Sequence, residues 1–524
     1  EGHNFSVHAL KWLFEPSDPN SGWRNSQMMG ISEHFEFLVP QIIQNTTAPF
    51  MDRLWSAGSA TDDYWNGIWG LLRSYPTPQP ALTTLNSNPN GRRALAAGLA
   101  ASFNGSCPAT APVRTLDVTA VYGNKAFANN FLTYNARTDG AYGPLVDPWS
   151  IVYVRTADLN PAGKLLAGVP KEPLVLRARA GECIQLTLRN GMSGNRVELD
   201  GFNTLPMIVE GFNANEIKPS NEVGLHPQLV YYDVSRYDGA NVGSNPTQTV
   251  GFGGAPILYQ WYAGDLKVNA NGTVTATPIE FGATNLISAD RIEHASKGAF
   301  GALIIEPADA TWVEDTTARA QATVTSASSG NFRELVLMLQ NDVNLQMLSA
   351  TGTTSTPVAN LAEAEDPEDS GQKAFNYRSE PFWHRMQYAP DTPLTTTRTF
   401  DFHNVQSNTQ VGADPQTPVF TASAQMPVRI RLLQAGGHAR NEVFALHGHA
   451  WNKEPYVNGS SKLGFNALSP WEGAVKGVGP TSHSDLLLQN GAGGSFGVLG
   501  DYLYRDMVSF GQDGGLWGIM RVIP

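Results

Sequence analysis

Apolar and polar residues alternate in short runs along this chain, and the clearest run is Val428-Arg-Ile-Arg-Leu-Leu433, with the period of a strand that buries one face. Arg114-Thr-Leu-Asp-Val-Thr-Ala-Val121, Pro173-Leu-Val-Leu-Arg-Ala-Arg179, Glu182-Cys-Ile-Gln-Leu-Thr-Leu-Arg189 and Glu334-Leu-Val-Leu-Met-Leu-Gln340 read as further strands. Gly298-Ala-Phe-Gly-Ala-Leu-Ile-Ile-Glu-Pro307 reads as a closing strand. Short strands punctuated by Gly and Pro over such lengths predict an all-β protein of tandem Greek-key β-sandwiches.

The chain also repeats itself. His3-Asn-Phe-Ser-Val-His-Ala-Leu-Lys-Trp12 aligns with Glu442-Val-Phe-Ala-Leu-His-Gly-His-Ala-Trp451, and Glu15-Pro16 with Glu454-Pro455. Trp65-Asn-Gly-Ile-Trp-Gly-Leu-Leu-Arg73 aligns with the stretch ending Gly-Leu-Trp-Gly-Ile-Met-Arg521, and His34 falls near the place of His483. A self-similar unit of this kind must be found before the fold is assigned. Strand-like runs precede Glu442, whereas none precedes His3. A sandwich lacking its first strands exposes a core and an unpaired edge. The expectation is therefore that residues 1–80 are the C-terminal part of a truncated sandwich, completed by a second chain or a cleaved N-terminal segment. An Ala/Thr/Pro/Asn-rich linker occupies 81–112, a second unit 113–310 and a third 315–524, with the acidic run Glu363 to Asp369 a solvated loop.

Composition narrows the function classes. With 524 residues, 41% hydrophobic and 16% charged, the chain is long enough for several cores and is too apolar for disorder. A net charge of -12 with no basic run excludes a counterion-releasing grip on nucleic acid. No apolar stretch of the ~18 residues that span a bilayer is present, so no transmembrane segment is expected. The opening Glu-Gly-His-Asn is no signal peptide, and export would imply a leader already removed. Of the two cysteines, Cys183 is expected to pack in its strand as a free residue, although a bridge to Cys107 is possible. Gly491-Ala-Gly-Gly-Ser-Phe-Gly497 precedes a strand and reads as a turn rather than a phosphate cradle. Trp65, Trp69 and Trp517 are assigned to sandwich cores.

Leu225-His-Pro-Gln228, His294-Ala-Ser-Lys-Gly298, Leu446-His-Gly-His449 and the Gly-Leu-Trp-Gly ending resemble the multicopper oxidase family, and most closely its large bacterial members such as manganese oxidases. The resemblance covers residues 1–75 and roughly 113–524. It implies cupredoxin-like domains, four His-x-His pairs around a three-copper cluster, and a Cys-His loop holding a blue copper. Imidazoles and a thiolate are the ligands such sites require. Placed on this chain, the pattern thins. His226 is kept but Gln228 replaces its mate, His294 is kept but Ser296 replaces its mate, and Glu442 and Ala445 replace ligands upstream of His447. Arg505, Asp506 and Met507 stand where His-Cys-His is expected, and Ser56-Ala-Gly58 at the matching place in the first unit.

Two readings of the surviving histidines stay open. In one, His226, His294 and His447, with His449 beside them, converge between the second and third units and hold a single copper ion. In the other they are relics whose rings bond to backbone and to Gln228 or Ser296. His3 and His8, five apart, point to opposite faces of a strand and chelate one ion only if it bends. The resemblance implies an extracytoplasmic copper-dependent oxidoreductase assembly that passes electrons from a metal ion or organic donor to dioxygen, with the missing ligands supplied from outside this chain. The alternative is a structural or binding protein that has lost its copper sites.

Overall fold

The computed structural model describes residues 3–39, 49–57, 61–76, 79–82, 103–104, 106–138, 140–194, 218–269, 271, 273–341, 343, 345–359, 361–362, 372–392, 402–437, 441–508 and 510–524. The expected linker and the acidic run fall largely outside these residues, as does His438.

In the first unit β1 (His3–Val7), β2 (Ser26–Met29), β3 (Met51–Ser56) and β4 (Trp69–Ser74) form one sheet in the order β2-β1-β3-β4. The second unit is a two-sheet sandwich. Its first sheet runs β6-β5-β8-β10, from β5 (Val113–Tyr122), β6 (Ile151–Arg155), β8 (Cys183–Asn190) and β10 (Ile257–Tyr262). Its second runs β7-β12-β11-β9, from β7 (Leu174–Arg179), β9 (Leu225–Pro227), β11 (Gly282–Ser288) and β12 (Phe300–Glu306). The third unit has the same plan. One sheet runs β13 (Thr311–Glu314), β14 (Gln321–Thr325), β15 (Phe332–Gln340), β17 (Val428–Gln434), β20 (His483–Leu487). The other runs β16 (Val419–Ser423), β22 (Trp517–Ile523), β21 (Gly500–Asp506), β18 (Glu442–Leu446), β19 (Ala474–Val478).

In both sandwiches an early strand pairs in parallel with a later one in each sheet: β5 with β8 and β7 with β12, then β15 with β17 and β16 with β22. Successive strands thus cross between sheets in the Greek-key manner, which is the cupredoxin-like, all-β arrangement expected. Buried Leu, Ile and Val from facing sheets close each core, as around Leu337, Ile430 and Leu446 in the third unit. Each such side chain contributes roughly 1.5–3 kcal/mol when fully buried.

The repeat holds to the residue. β1 and β18 carry aligned bounds, and Trp12 and Trp451 each open a two-residue strand. Arg73 Nε donates to Asp52 across β3 and β4 at 2.7 Å, and Arg521 Nε to Asp501 across β21 and β22 at 2.7 Å. Gly70 lies under the Trp55 ring and Gly518 under the Tyr504 ring, so close that an added Cβ would lie 2.5 Å and 2.2 Å from the respective side chain.

Four expectations are corrected. Trp65 and Trp69 are exposed while Trp517 is buried, because no second sheet among the described residues covers β4 as one covers β22. Cys183 is not free but bonded to Cys107, tying the start of β8 to the segment before β5. The matching places of His34 and His483 in the repeat imply an equivalent structural hydrogen bond in each copy, but His483 is buried without a hydrogen-bond partner while His34 is exposed. Finally, the polar side of β17 does not meet solvent. All seven of its residues are buried, because Arg429 reaches Glu280 of the second unit and Arg431 lies between Glu306, Glu334 and Asp485.

That seam positions the units. Arg177 binds both Glu334 and Glu314. Burial and the neighbouring Glu334 raise Glu306 well above the usual carboxylate range, against the pull of Arg431 and Arg177. Gly282, at φ +68°, makes room: a Cβ there would lie 2.3 Å from Asp485.

Candidate metal centre between the first and second units

His8 follows β1, and its ring stacks on that of His226, the middle residue of β9, with centroids 3.8 Å apart and planes 26° from parallel. Asp238 completes the group. It follows the short helix α1 (Val234–Tyr237), whose Asp233 cap accepts from Ser235 N–H. Gly239 follows at φ +74°, where a Cβ would sit 2.2 Å from the Leu225 carbonyl; lacking one, the loop presses onto β9 and sets Asp238 beside His226.

The hydrogen bonds run in a closed circuit. His8 Nδ1 donates to Asp238 Oδ2 at 2.8 Å, and Tyr232 O–H donates to Asp238 Oδ1 at 2.9 Å. His226 Nδ1 donates to the Asp238 carbonyl at 2.8 Å and lies 3.2 Å from Oδ1. Ala9 N–H donates to Tyr232 Oη at 2.9 Å, and Asp238 N–H to Gln248 at 2.6 Å. Arg291 donates to His8 Nε2 at 3.2 Å, which assigns the His8 proton to Nδ1. All three of His8, His226 and Asp238 are buried, and their ligand atoms lie within 4.8 Å of one another.

Burial lowers His8 to about 3, outweighing the attraction of Asp238, so its imidazole is neutral at physiological pH. Burial pushes Asp238 the other way, but the two facing imidazoles more than offset it, and the carboxyl stays well below its usual range. The neutral imidazole thus lies between the Arg291 guanidinium and the Asp238 carboxylate and relays one hydrogen bond to the other.

The histidines expected to converge do not do so. His294 is fully buried, but its Nδ1 pairs with Ser288 Oγ at 2.6 Å and its Nε2 donates to the Ser220 carbonyl at 2.8 Å. His447 is exposed on the third unit, where burial of part of its ring and the Arg505 charge lower its pKa. His449 is buried with both nitrogens engaged, Nδ1 to the His447 carbonyl and Nε2 accepting from Gly493 N–H. Of that set only His226 joins the group. His3 pairs with Asp63 at 2.9 Å, away from His8, as strand alternation requires. Gln228, in the place of a lost ligand, bonds Asn285 and the Thr481 carbonyl, and Ser296 donates to the Glu293 carbonyl.

At the altered loop of the third unit, Asp506 accepts from Val443 N–H at 2.8 Å and Val508 N–H at 3.2 Å, while Arg505 pairs with Gln512. Burial and the nearby Asp506 raise Glu442 well above the usual range. Both cysteines are consumed in the disulfide, so this chain has no thiol for a blue copper.

Asp238, Tyr232 and Arg291 were not foreseen from the sequence. Asp238-Gly239 has the look of a turn, and nothing local marks its carboxyl as facing a histidine more than two hundred residues away, at a sequence separation of 230.

No protein-family model and no curated protein matches this chain. Solved structures similar to it include a multicopper oxidase at 13% identity and TM-score 0.40, covering 80% of this chain and 93% of that one. A copper nitrite reductase from Nitrosomonas europaea is similar at 14% and 0.38, covering 78% and 94%. A blue copper oxidase from Nitrosomonas europaea is similar at 12% and 0.35, covering 78% and 86%. Scores this low carry nothing about the site, and the strand pairing described above defines the fold.

Proposed function

We propose that this cupredoxin-like chain is a component of an extracytoplasmic copper-dependent oxidoreductase assembly, to which it contributes one buried metal pocket formed by His8, His226 and Asp238. The observation that supports this is the meeting of two imidazoles and a carboxylate from two different units. Two imidazoles and a carboxylate suit copper, zinc or iron by ligand type. A three-copper cluster and a blue copper do not fit, since their ligand positions hold Gln228, Ser296, Ala445, Arg505, Asp506 and Met507. Those centres belong to a partner in this reading. Copper bound at the pocket would supply a redox-active Lewis acid; this chain's own residues hold the donors, with Tyr232 and Arg291 orienting them. The Cys107–Cys183 disulfide favours an oxidising compartment.

A second reading, a binding or structural protein without catalysis, is favoured by the Arg291 guanidinium against His8 Nε2, which disfavours a second cation there. Elemental analysis of the purified chain separates the two. Copper bound stoichiometrically and lost in His226→Ala supports the metal pocket, and a metal-free chain after incubation with copper overturns it.

A further inference from the structure

His8 has one lone pair to give, and that lone pair is already engaged. A neutral imidazole carries a proton on one ring nitrogen and an acceptor lone pair on the other. In His8 the proton is on Nδ1, which donates to Asp238 Oδ2 at 2.8 Å, and the lone pair on Nε2 accepts from Arg291 Nη2 at 3.2 Å. His226 differs. Its Nδ1 donates to the Asp238 carbonyl, so the lone pair it offers a ligand is on Nε2.

A metal ion coordinated by His8 needs the same lone pair, whichever nitrogen it meets. Coordination at Nε2 puts the ion where Arg291 Nη2 now donates. Coordination at Nδ1, on the Asp238 side, moves the ring proton to Nε2, where it faces the Arg291 N–H donor against donor. Both routes break the Arg291–His8 hydrogen bond, and both set a metal cation close to a guanidinium, a group that stays protonated in proteins. Arg291 is only 7% exposed, so little water screens the repulsion.

We infer that Arg291 is a built-in competitor of the metal ion: its guanidinium holds the lone pair of His8 in the metal-free chain, and the pocket fills only as that side chain swings off the ring. The movement is confined to the side chain. Asp290 Oδ1 accepts from Ile292 N–H at 3.1 Å and Glu293 N–H at 2.9 Å, and its Oδ2 accepts from Ser220 N–H at 2.9 Å. His294, on the same loop, donates to the Ser220 carbonyl at 2.8 Å, so the backbone on both sides of Arg291 is held. Arg291 belongs to the second unit and His8 to the first, and the exchange replaces one link across their seam with another. The inference concerns regulation of the pocket in the proposed function and rests on that reading.

Titration of the chelator-treated full chain with copper(II) alone, against a chromogenic competing chelator, tests it, and nitrogen hyperfine coupling in the electron paramagnetic resonance spectrum marks imidazole ligation. Arg291→Met should bind copper at least about a hundredfold more tightly than the parent, and adding His8→Ala should remove the gain. Arg291→Gln, which keeps a donor but no charge, should fall between the two. A side chain that merely braced the seam would give the opposite sign, because its loss would loosen the donors and weaken binding. Affinity in Arg291→Met equal to or weaker than the parent's, or failure of both neutral variants to fold, overturns the inference; the metal pocket survives that result as long as the parent's nitrogen-ligated copper is lost in His226→Ala. Absence of nitrogen-ligated copper from the parent and from every variant overturns the pocket itself and the inference with it.

Discussion

Replacing Asp238 by Ala should loosen the first unit from the second before it damages either. The substitution removes the acceptor of His8 Nδ1–H and of Tyr232 O–H, and it leaves the Arg291 guanidinium near a neutral ring with no carboxylate behind it. Two buried donors, His8 Nδ1–H and Tyr232 O–H, lose their acceptor at roughly 1–3 kcal/mol each, so the expected destabilisation is about 4 kcal/mol. Asp238→Asn keeps one acceptor oxygen and should recover about half. His8 and Ala9 lie in the first unit and Tyr232 and Asp238 in the second, so the loss should concentrate at their seam. Urea denaturation followed by tryptophan fluorescence gives the magnitude, and hydrogen exchange of residues 3–10 and 51–56 gives the location. A destabilisation of Asp238→Ala below about 1 kcal/mol, with unchanged exchange in those residues, would refute the closed circuit.

Further perturbations probe other parts of the molecule. Arg431→Met leaves Asp485 buried without its guanidinium and Glu334 with Arg177 alone, and should cost at least about 3 kcal/mol by urea denaturation, with exchange rising on both sides of the seam between the second and third units. His483 is lowered to about 3 by burial first and by the Arg24 charge second. The unfolded chain therefore binds a proton below about 6.5 that the folded chain refuses, and stability falls as pH drops from 6.5 towards 3. From pH 7 to pH 5 this amounts to about 2 kcal/mol. Other groups titrate in that range, among them Glu172, which burial raises to about 7 and which acts in the opposite sense. The measurement is thus the difference between parent and His483→Phe at the two pH values, and a difference that does not change with pH contradicts the assignment. Reducing Cys107–Cys183 opens a loop with a sequence separation of 76 and should lower stability by about 4 kcal/mol on the chain-entropy account, read as a fall in Tm on adding reductant.

The sequence alone determined the class of fold and the repeat. Strand periodicity and Gly/Pro punctuation are local signals, and aligned residues such as Trp12 with Trp451 or Arg73 with Arg521 require no knowledge of distance. The loss of the expected copper loop was equally legible, since an Arg-Asp-Met run supplies no thiolate whatever surrounds it. Tertiary structure decided which side of a strand meets solvent. The alternation of β17 was read correctly as one apolar and one polar face, but whether the polar face meets water or Glu306 and Asp485 depends on segments far away in the chain. The candidate site was decided in the same way. Of the six histidines named as candidate ligands, the fold brings His8 and His226 together, sends His3, His294 and His449 to other partners and leaves His447 exposed. Asp238 has meaning only beside them, because a carboxylate becomes a ligand or an orienting acceptor through burial and distance, neither of which composition or spacing records.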